Sequence, residues 1–137
     1  MGCIALMKLL LDTHIWFWSR AEPRRLSARI SNSLRKSSNE LWLSPVSIWE
    51  LLFLCRKGRL RLGNDPVAWI KLALDAVPMR DALVTKDVAL ATREITLLHR
   101  DPSDFLLAAT AKVYGLTLVT ADEHLIAGSG FAVLANR

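Results

Sequence analysis

Four carboxylic acids in this sequence lie where an apolar run ends or where a helix is expected to begin. They are Asp12, Glu50, Asp104 and Asp122. Asp12 directly follows the apolar run of residues 9–11, and Asp122 follows the run of residues 116–119 after a Thr-Ala pair. Carboxylates that converge repel one another and stay ionised together only beside a cation. Because oxygen ligands select hard divalent ions, convergence of these acids predicts a site for Mg²⁺ or Mn²⁺.

The elements that must position these acids alternate between strands and helices. The apolar runs at residues 9–11 and 41–43 and the mostly apolar segment 116–119 predict buried strands, and apolar residues at helical spacing predict helices between them. This alternation is typical of an α/β fold, and we predict a three-layer α/β/α sandwich with a central, mostly parallel sheet. Polar residues at the carboxyl ends of such strands face a common crevice, where the acids would meet.

Helix boundaries are marked by several local signals. Ser47 and Glu50 have the Ser-x-x-Glu form of a capping box, which predicts that a helix begins just after Ser47. Asp65, followed by proline, and Thr85 are predicted N-caps of two further helices. Gly115 closes the helix that begins near residue 103. Spacing alone supports capping by Glu50 as well as it supports metal binding.

The other acids also have structural interpretations. Asp104 near a helix N-terminus is favoured by the helix dipole, and Asp122 has the position of an N-cap. Asp101, which precedes a proline, is typical of a turn or a cap. Asp12 is the hardest to explain in this way, although it too is placed to cap the helix that follows it.

Composition indicates one soluble domain over residues 1–137. The chain has 137 residues, of which 52% are hydrophobic, enough to fill a single core. No apolar run approaches the roughly 18 residues of a membrane helix. Cys3 and Cys55 do not form a disulfide framework, which fits a reducing cytoplasm. Met7 opens its segment as a natural start would, so residues 1–6 form an N-terminal extension if translation begins at Met7.

The chain is basic, with 18 Lys and Arg against 13 Asp and Glu and a formal net charge of +5. That balance favours a polyanionic partner, although many small domains are basic for solubility alone. The basic residues are clustered in two segments, away from the acids. The candidates for nucleic-acid binding in these segments are Arg20, Arg24, Arg25, Arg56, Lys57 and Arg59.

Histidines and tryptophans carry weaker signals. His14, His99 and His124 show no metal-ligand spacing, and we interpret them as surface or packing residues. Most tryptophans are expected in the core. Trp16 and Trp18, beside the predicted site, are candidates to line a groove for a partner or for stacked bases.

Four ordered segments carry a resemblance to a known family. They are MKLLLDTHIW (residues 7–16), SPVSIWE (44–50), HRDPSD (99–104) and LTLVTAD (116–122). Together they resemble the PIN-domain ribonucleases, specifically the VapC-type toxins, over about residues 7–134. The sequence departs from the family at Phe105, where arginine is common.

The resemblance implies an endoribonuclease that depends on one or two Mg²⁺ or Mn²⁺ ions and hydrolyses RNA phosphodiester bonds with metal-activated water. It also implies a cytoplasmic homodimer that a cognate antitoxin holds inactive, with a larger complex as a further form. By motif, the catalytic acids and metal ligands are Asp12, Glu50, Asp104 and Asp122, supported by Thr13, Asp101 and Thr120.

Two alternatives stay open at this point. The first is a PIN nuclease that matures RNA or cuts structured DNA without an antitoxin. The second is a catalytically silent module that keeps the fold and binds a protein partner. The presence of all four acids favours a nuclease over the silent module.

Overall fold

The structure is a computed structural model that describes residues 6–137. Cys3 and most of the predicted N-terminal extension lie outside this range. Within residues 6–137 the chain forms five strands and seven α-helices. The strands are β1 (Lys8–Leu11), β2 (Glu40–Leu43), β3 (Arg80–Asp81), β4 (Thr117–Thr120) and β5 (Ala132–Ala135). The helices are α1 (Thr13–Ala21), α2 (Ala28–Arg35), α3 (Pro45–Arg56), α4 (Pro66–Ala76), α5 (Lys86–Ala91), α6 (Pro102–Tyr114) and α7 (Glu123–Ile126).

The strands form one parallel sheet in the order β3-β2-β1-β4-β5. The chain first builds outward from β1 on one side, through β2 and β3, and then crosses to the other side of β1 to form β4 and β5. The direction of winding therefore reverses between β1 and β4. In open α/β sheets the ligand crevice lies at this reversal, outside the carboxyl ends of the strands.

Helices cover both faces of the sheet, as the predicted three-layer sandwich requires. Leu9 and Leu11 of β1 are buried against Ile15 of α1 and Leu51 of α3. Leu10 points to the opposite face, where it joins Ala111 of α6 in a second buried cluster. This alternation follows from the period of two along a strand, and burial on both sides explains why the three residues of β1 after Lys8 are all leucine.

The capping box predicted at Ser47 is wrong. Helix α3 begins at Pro45, and its N-cap is Ser44, whose Oγ accepts a hydrogen bond from the backbone N–H of Val46 at 3.1 Å. Proline suits the first helical position because its φ is preset and its missing N–H would have no helical partner. Ser47 is therefore buried inside the helix. Glu50 lies beyond the first turn of the helix and is free for other contacts.

Other predicted boundaries are confirmed. Asp65 and Thr85 cap α4 and α5, and each accepts a backbone hydrogen bond at 3.2 Å, from Ala68 and Val88 respectively. Gly115 ends α6 in the left-handed conformation, with φ of 67°. No helix within residues 6–137 is long and apolar enough to cross a membrane.

Candidate active site

All four predicted acids lie in one cleft of about 370 Å³, outside the carboxyl ends of β1 and β4. We call it the acid cleft. Its lining residues are Asp12, His14, Trp18, Glu50, Asp101, Asp104, Ala121 and Asp122. The convergence predicted from strand ends and helix starts therefore occurs, and Asp101 joins the group.

Asp12 is at once a helix cap and a cleft residue. Its Oδ1 accepts from the backbone N–H of Thr13 at 2.7 Å, and its Oδ2 accepts from the Thr120 hydroxyl at 2.7 Å. Burial raises the pKa of Asp12 to about 6, and the charge of Glu50 acts in the same direction. The two hydrogen bonds lower the pKa but do not outweigh burial.

Glu50 is held by two hydroxyl groups rather than by a capping box. The Thr13 hydroxyl donates to Oε1, and the Ser103 hydroxyl lies 3.0 Å from Oε2. Ser103 also lies 2.9 Å from Oδ1 of Asp101, so its single proton is available to either carboxylate. Sequence reasoning did not identify Ser103, because a serine at a helix start is typical of capping and gives no sign of a partner 53 positions away.

Asp104 has the strongest electrostatic perturbation in the cleft. Burial raises its pKa to about 8, and nearby carboxylates act in the same direction. In decreasing order of effect these neighbours are Asp101, Asp12, Asp122 and Glu50. Among the described residues, Oδ2 of Asp104 is buried without a hydrogen-bond partner, although His99 Nε2 lies 2.9 Å away.

The structural interpretations of Asp101 and Asp122 are also confirmed. Asp101 caps α6 by accepting from the N–H of Ser103 at 3.1 Å, and Asp122 caps α7 by accepting from the N–H of His124 at 2.8 Å. Both residues line the acid cleft as well. Capping and a place in the cleft are compatible because each cap uses one carboxylate oxygen, and the second stays available.

The chemistry of the cleft fits a divalent cation. It presents several carboxylates, and burial together with neighbouring negative charge raises the pKa values of Asp12 and Asp104, so an added positive charge would favour their ionised forms. Asp104 Oδ2 is buried and forms no hydrogen bond, although His99 Nε2 lies 2.9 Å away, so a cation in the cleft or a proton on this pair would stabilise it. A hard cation with oxygen ligands would have both effects.

The predicted aromatic lining is half correct. Trp16 is only 1% exposed and packs against Trp69, so its assignment to a groove is wrong. Trp18 does line the acid cleft, and the guanidinium of Arg25 lies 4.9 Å from the centre of its ring. The most exposed tryptophan of the site is instead Trp49, at 57%.

Trp49 belongs to a second depression, which lies between α3 and α6 and which we call the aromatic groove. Its volume is about 620 Å³, and it shares Glu50 and Asp101 with the acid cleft. Trp49 stacks on Phe53 with ring centres 5.4 Å apart. The other lining residues are Pro45, Val46, Leu54, Lys57, Arg59, Val84, Pro102, Ser103 and Leu106.

The predicted basic residues divide between the site and the rest of the surface. Lys57 and Arg59 line the aromatic groove, and Lys57 Nζ lies 4.7 Å from the centre of the Phe53 ring. Arg56 is next to Trp49 and Phe53 on the outer side of α3.

Two other predicted basic residues lie away from the cleft. Arg20 lines a separate small cavity with Arg35, and Arg24 is exposed in the turn after α1. Phe105, the departure from the family pattern, packs against an apolar cluster that includes Val88 of α5, and it is not among the residues that line the acid cleft. Its role in this chain is therefore packing between α5 and α6.

A family model described as the PIN domain matches residues 9–128. The chain belongs to the PIN-domain family. This PIN domain is 33% identical over 118 residues to ribonuclease VapC22 of Mycobacterium tuberculosis, a match that covers 85% of this chain and 88% of the relative. The resemblance inferred from the four ordered segments is thereby confirmed.

Solved structures agree on the fold. A chain in VapBC2 from Rickettsia felis, bound to a DNA fragment from its promoter, matches with a TM-score of 0.71 at 17% identity, covering 94% of this PIN domain and 98% of that chain. A chain in VapBC-5, a toxin–antitoxin system of Mycobacterium tuberculosis, matches with a TM-score of 0.60 at 21% identity, covering 95% and 98%. These likenesses establish the α/β sandwich.

Proposed function

We propose that this PIN domain is a metal-dependent endoribonuclease and the toxin of a toxin–antitoxin pair, active in the cytoplasm as a single domain. The observation that carries the proposal is the convergence of the four predicted acids in one cleft at the carboxyl ends of β1 and β4. The 33% identity to a VapC ribonuclease supports the substrate class.

The ion we propose is Mg²⁺ or Mn²⁺, held by the predicted quartet of Asp12, Glu50, Asp104 and Asp122. When bound, such an ion polarises a phosphate and lowers the pKa of a water molecule. The protein contributes orientation: Thr120 and Thr13 donate hydrogen bonds that fix the Asp12 and Glu50 carboxylates before an ion arrives. In this proposal Asp101 has a supporting role, and it lies 2.9 Å from the Ser103 hydroxyl.

Single-stranded RNA is the substrate that fits the surface beside the cleft. The aromatic groove offers Trp49 and Phe53 for stacking of bases, and Lys57 and Arg59 for contacts to phosphates. Because the groove and the cleft share Glu50, a strand that enters the groove passes directly to the proposed metal ligands. Arg25 and Arg56 lie beside the aromatic residues Trp18 and Trp49, whereas Arg20 and Arg24 would contribute only at longer range.

The partners we propose are a cognate antitoxin and a second copy of the chain, with a larger complex when the antitoxin is bound. The similarity of this PIN domain to chains in structures of VapBC toxin–antitoxin systems supports an antitoxin partner. A small reading frame beside this gene, encoding a DNA-binding protein with an amphipathic tail, is the expected genetic arrangement. Size-exclusion chromatography of the co-expressed pair measures the assembly.

The test is cleavage of RNA by purified protein freed of its partner, with Asp12→Asn as the inactive variant. We expect Asp12→Asn to lower Mn²⁺-dependent cleavage by about 100-fold or more, because loss of a ligand should exceed the loss caused by an outer partner. Asp75→Asn, an exposed aspartate on α4, is the matched control and should cleave as the wild type does. Circular dichroism establishes that both variants fold.

The alternatives give different results in the same assay. A nuclease of structured DNA would cut duplex or flap DNA and leave RNA intact. A silent binding module would cut neither and would not bind Mn²⁺ in a calorimetric titration. Equal RNA cleavage by the wild type and Asp12→Asn would show that the proposed site is wrong. Sequencing the new 5′ ends after pulse expression then identifies the RNA target.

A further inference from the structure

Two histidines that are distant in sequence meet at one rim of the acid cleft. His99 lies in the loop before α6, and His124 lies on α7. Their rings stack with centres 4.2 Å apart and planes inclined by 22°. Each offers a ligand atom, as does Asp122, and these three atoms all lie within 4.8 Å of one another. The fold therefore creates a nitrogen-containing cluster that the sequence spacing did not predict.

Buried polar atoms in and beside this cluster form no hydrogen bond. Among the described residues, His99 Nδ1 and Asp104 Oδ2 are buried without hydrogen-bond partners. The Asp104 side chain is 7% exposed, and its Oδ2 faces His99 Nε2 at 2.9 Å. On the other ring, His124 Nδ1 lies 3.4 Å from Asp122 Oδ1. Unsatisfied buried atoms of this kind destabilise a fold unless a ligand completes them.

We propose that His99, His124 and Asp122 form a site for a transition-metal ion, Zn²⁺ above all, at the rim of the acid cleft. Zinc takes imidazole nitrogen and carboxylate oxygen together, commonly from three protein groups with a further position open to water. The exposure of His124 and Asp122, at 53% and 37% of their side chains, leaves room for that water. Mg²⁺ strongly prefers oxygen ligands and should not compete at the imidazoles.

Asp122 is a proposed ligand both of the rim ion and of the Mg²⁺ or Mn²⁺ in the acid cleft. A metal ion bound at the rim would therefore take this carboxylate away from the ion in the cleft. Asp104, a proposed ligand of the Mg²⁺ or Mn²⁺ ion, also contacts His99 of the rim site. The rim site rests on the histidine geometry and does not require that the protein cleave RNA.

The test is a titration of tag-free, metal-free protein with Co²⁺, whose visible absorption reports nitrogen and oxygen coordination without any RNA in the assay. We expect the wild type to develop this absorption, Zn²⁺ to abolish it by displacement, and Mg²⁺ at concentrations comparable to Co²⁺ to leave it in place. Absence of the absorption, or its loss on adding Mg²⁺ at concentrations comparable to Co²⁺, would overturn the rim site.

Histidine variants identify the ligands. His99→Ala and His124→Ala should each weaken Co²⁺ binding by about tenfold or more. His14→Ala is the matched control, because His14 lines the cleft but is not one of the proposed ligands of the rim ion, and this variant should bind Co²⁺ as the wild type does. His124 is exposed, so His124→Ala tests the site even if His99→Ala disturbs its loop, and thermal melts monitored by circular dichroism report folding. Wild-type Co²⁺ affinity in the double variant would refute the proposal.

Discussion

The carboxylate of Asp12 has a partner on each oxygen before any ion binds. One oxygen accepts from the Thr13 amide and the other from the Thr120 hydroxyl, so the group cannot rotate freely. Burial at the same time raises its pKa to about 6. The Asp12 carboxylate is therefore held in one orientation, while burial disfavours its negative charge. Binding of a cation would stabilise that charge without changing the orientation.

The raised pKa values of Asp12 and Asp104 predict how stability changes with pH. The folded protein keeps these protons up to about pH 6 and about pH 8, whereas the unfolded chain releases them near the ordinary value of 3.8. Their contribution to stability is complete below that ordinary value and is lost as pH rises through 6 and then 8. We expect the melting temperature of the metal-free protein to fall over this range.

Mn²⁺ should restore the melting temperature most strongly at the alkaline end, where protons no longer compete for the carboxylates. Differential scanning calorimetry across pH, with and without Mn²⁺, measures both effects. In Asp104→Asn the decline near pH 8 should disappear. If the decline persists in that variant, another group causes it.

Thr120→Val tests the hydroxyl that orients Asp12. The Thr120 oxygen donates to Asp12 and accepts from the N–H of Asp122 at 3.0 Å, so its removal leaves buried polar groups unsatisfied. We expect the free energy of unfolding to fall by about 1 to 3 kcal/mol and Mn²⁺ binding to weaken. Urea denaturation and calorimetric titration are the measurements.

Thr110→Val is the matched control for that change. Thr110 is equally buried, but its hydroxyl donates to the carbonyl of Leu106 one turn earlier in α6. Because that carbonyl remains in the helix ladder, the loss of stability should be smaller and Mn²⁺ affinity should not change. Equal effects of the two variants on Mn²⁺ affinity would count against the orienting role of Thr120.

At the scale of elements, α3 and α6 contribute residues to both depressions. Glu50 projects from α3 and Ser103 from the first turn of α6, and their hydrogen bond joins the two helices across the cleft. The same pair of helices leaves Trp49 and Phe53 exposed on the outer side of the contact. The spacing between α3 and α6 therefore sets the width of the groove and the position of Glu50 together.

Lys57 tests whether the aromatic groove binds RNA. In the Asp12→Asn background, which prevents cleavage, Lys57→Ala should weaken binding of a single-stranded RNA. It should also reduce the slope of log affinity against log salt by about 0.7, as expected for one lost phosphate contact. Lys112→Ala, an exposed lysine at the far end of α6, should change neither quantity. Identical salt slopes for all three proteins, measured by fluorescence anisotropy, would show that Lys57 in the aromatic groove does not contact the RNA.

Gly115→Ala tests how α6 ends. Gly115 has φ of 67°, and a Cβ added there would meet no atom within 4 Å, so only backbone strain opposes the change. We expect a loss of about 1 to 2 kcal/mol in the free energy of unfolding. Mn²⁺ affinity should be unaffected, because Gly115 lies at the opposite end of α6 from Asp104. A change in Mn²⁺ affinity would mean that the helix moves as a unit.

At the scale of the molecule, sequence predicted the layers and the convergence of the acids but not their immediate partners. Strand ends and helix starts are local signals, and in a parallel sheet they fall on one edge, which is why Asp12 and Asp122 could be identified. The Ser103–Glu50 bond and the His99–His124 stack depend on tertiary packing over many positions. No local pattern encodes such contacts.

The same limit explains the errors. The Ser-x-x-Glu spacing of a capping box is satisfied by residues 47–50, but Ser44 and Pro45 three positions earlier offer a better helix start. Trp16 and Trp49 look alike in sequence, yet α1 turns the first into the core and α3 turns the second to solvent. Tertiary packing decides which side of a helix faces the sheet. Sequence spacing alone does not show whether an aromatic residue lies on that side.

Hydrogen exchange should rank the strands by their position in the sheet. Strand β1 is central and buried on both faces, whereas β3 and β5 are its edges. We expect the amides of Leu10 and Leu11 to exchange only through global unfolding and those of Arg80 and Asp81 to exchange sooner. Mass spectrometry of peptides from exchanged protein makes the comparison. Equal protection of β1 and β3 would contradict this order.

The backbone N–H of Asp12 donates to the carbonyl of Val119 at 3.0 Å, so the ladder between β1 and β4 continues into the cleft itself. Asp12 is thus part of the hydrogen-bond ladder of the central sheet. Moving the Asp12 backbone would break this hydrogen bond, so we expect the position of Asp12 to depend on an intact sheet. An inhibitor that blocks the mouth of the cleft would leave this hydrogen bond in place, and its removal should then return activity without any refolding step.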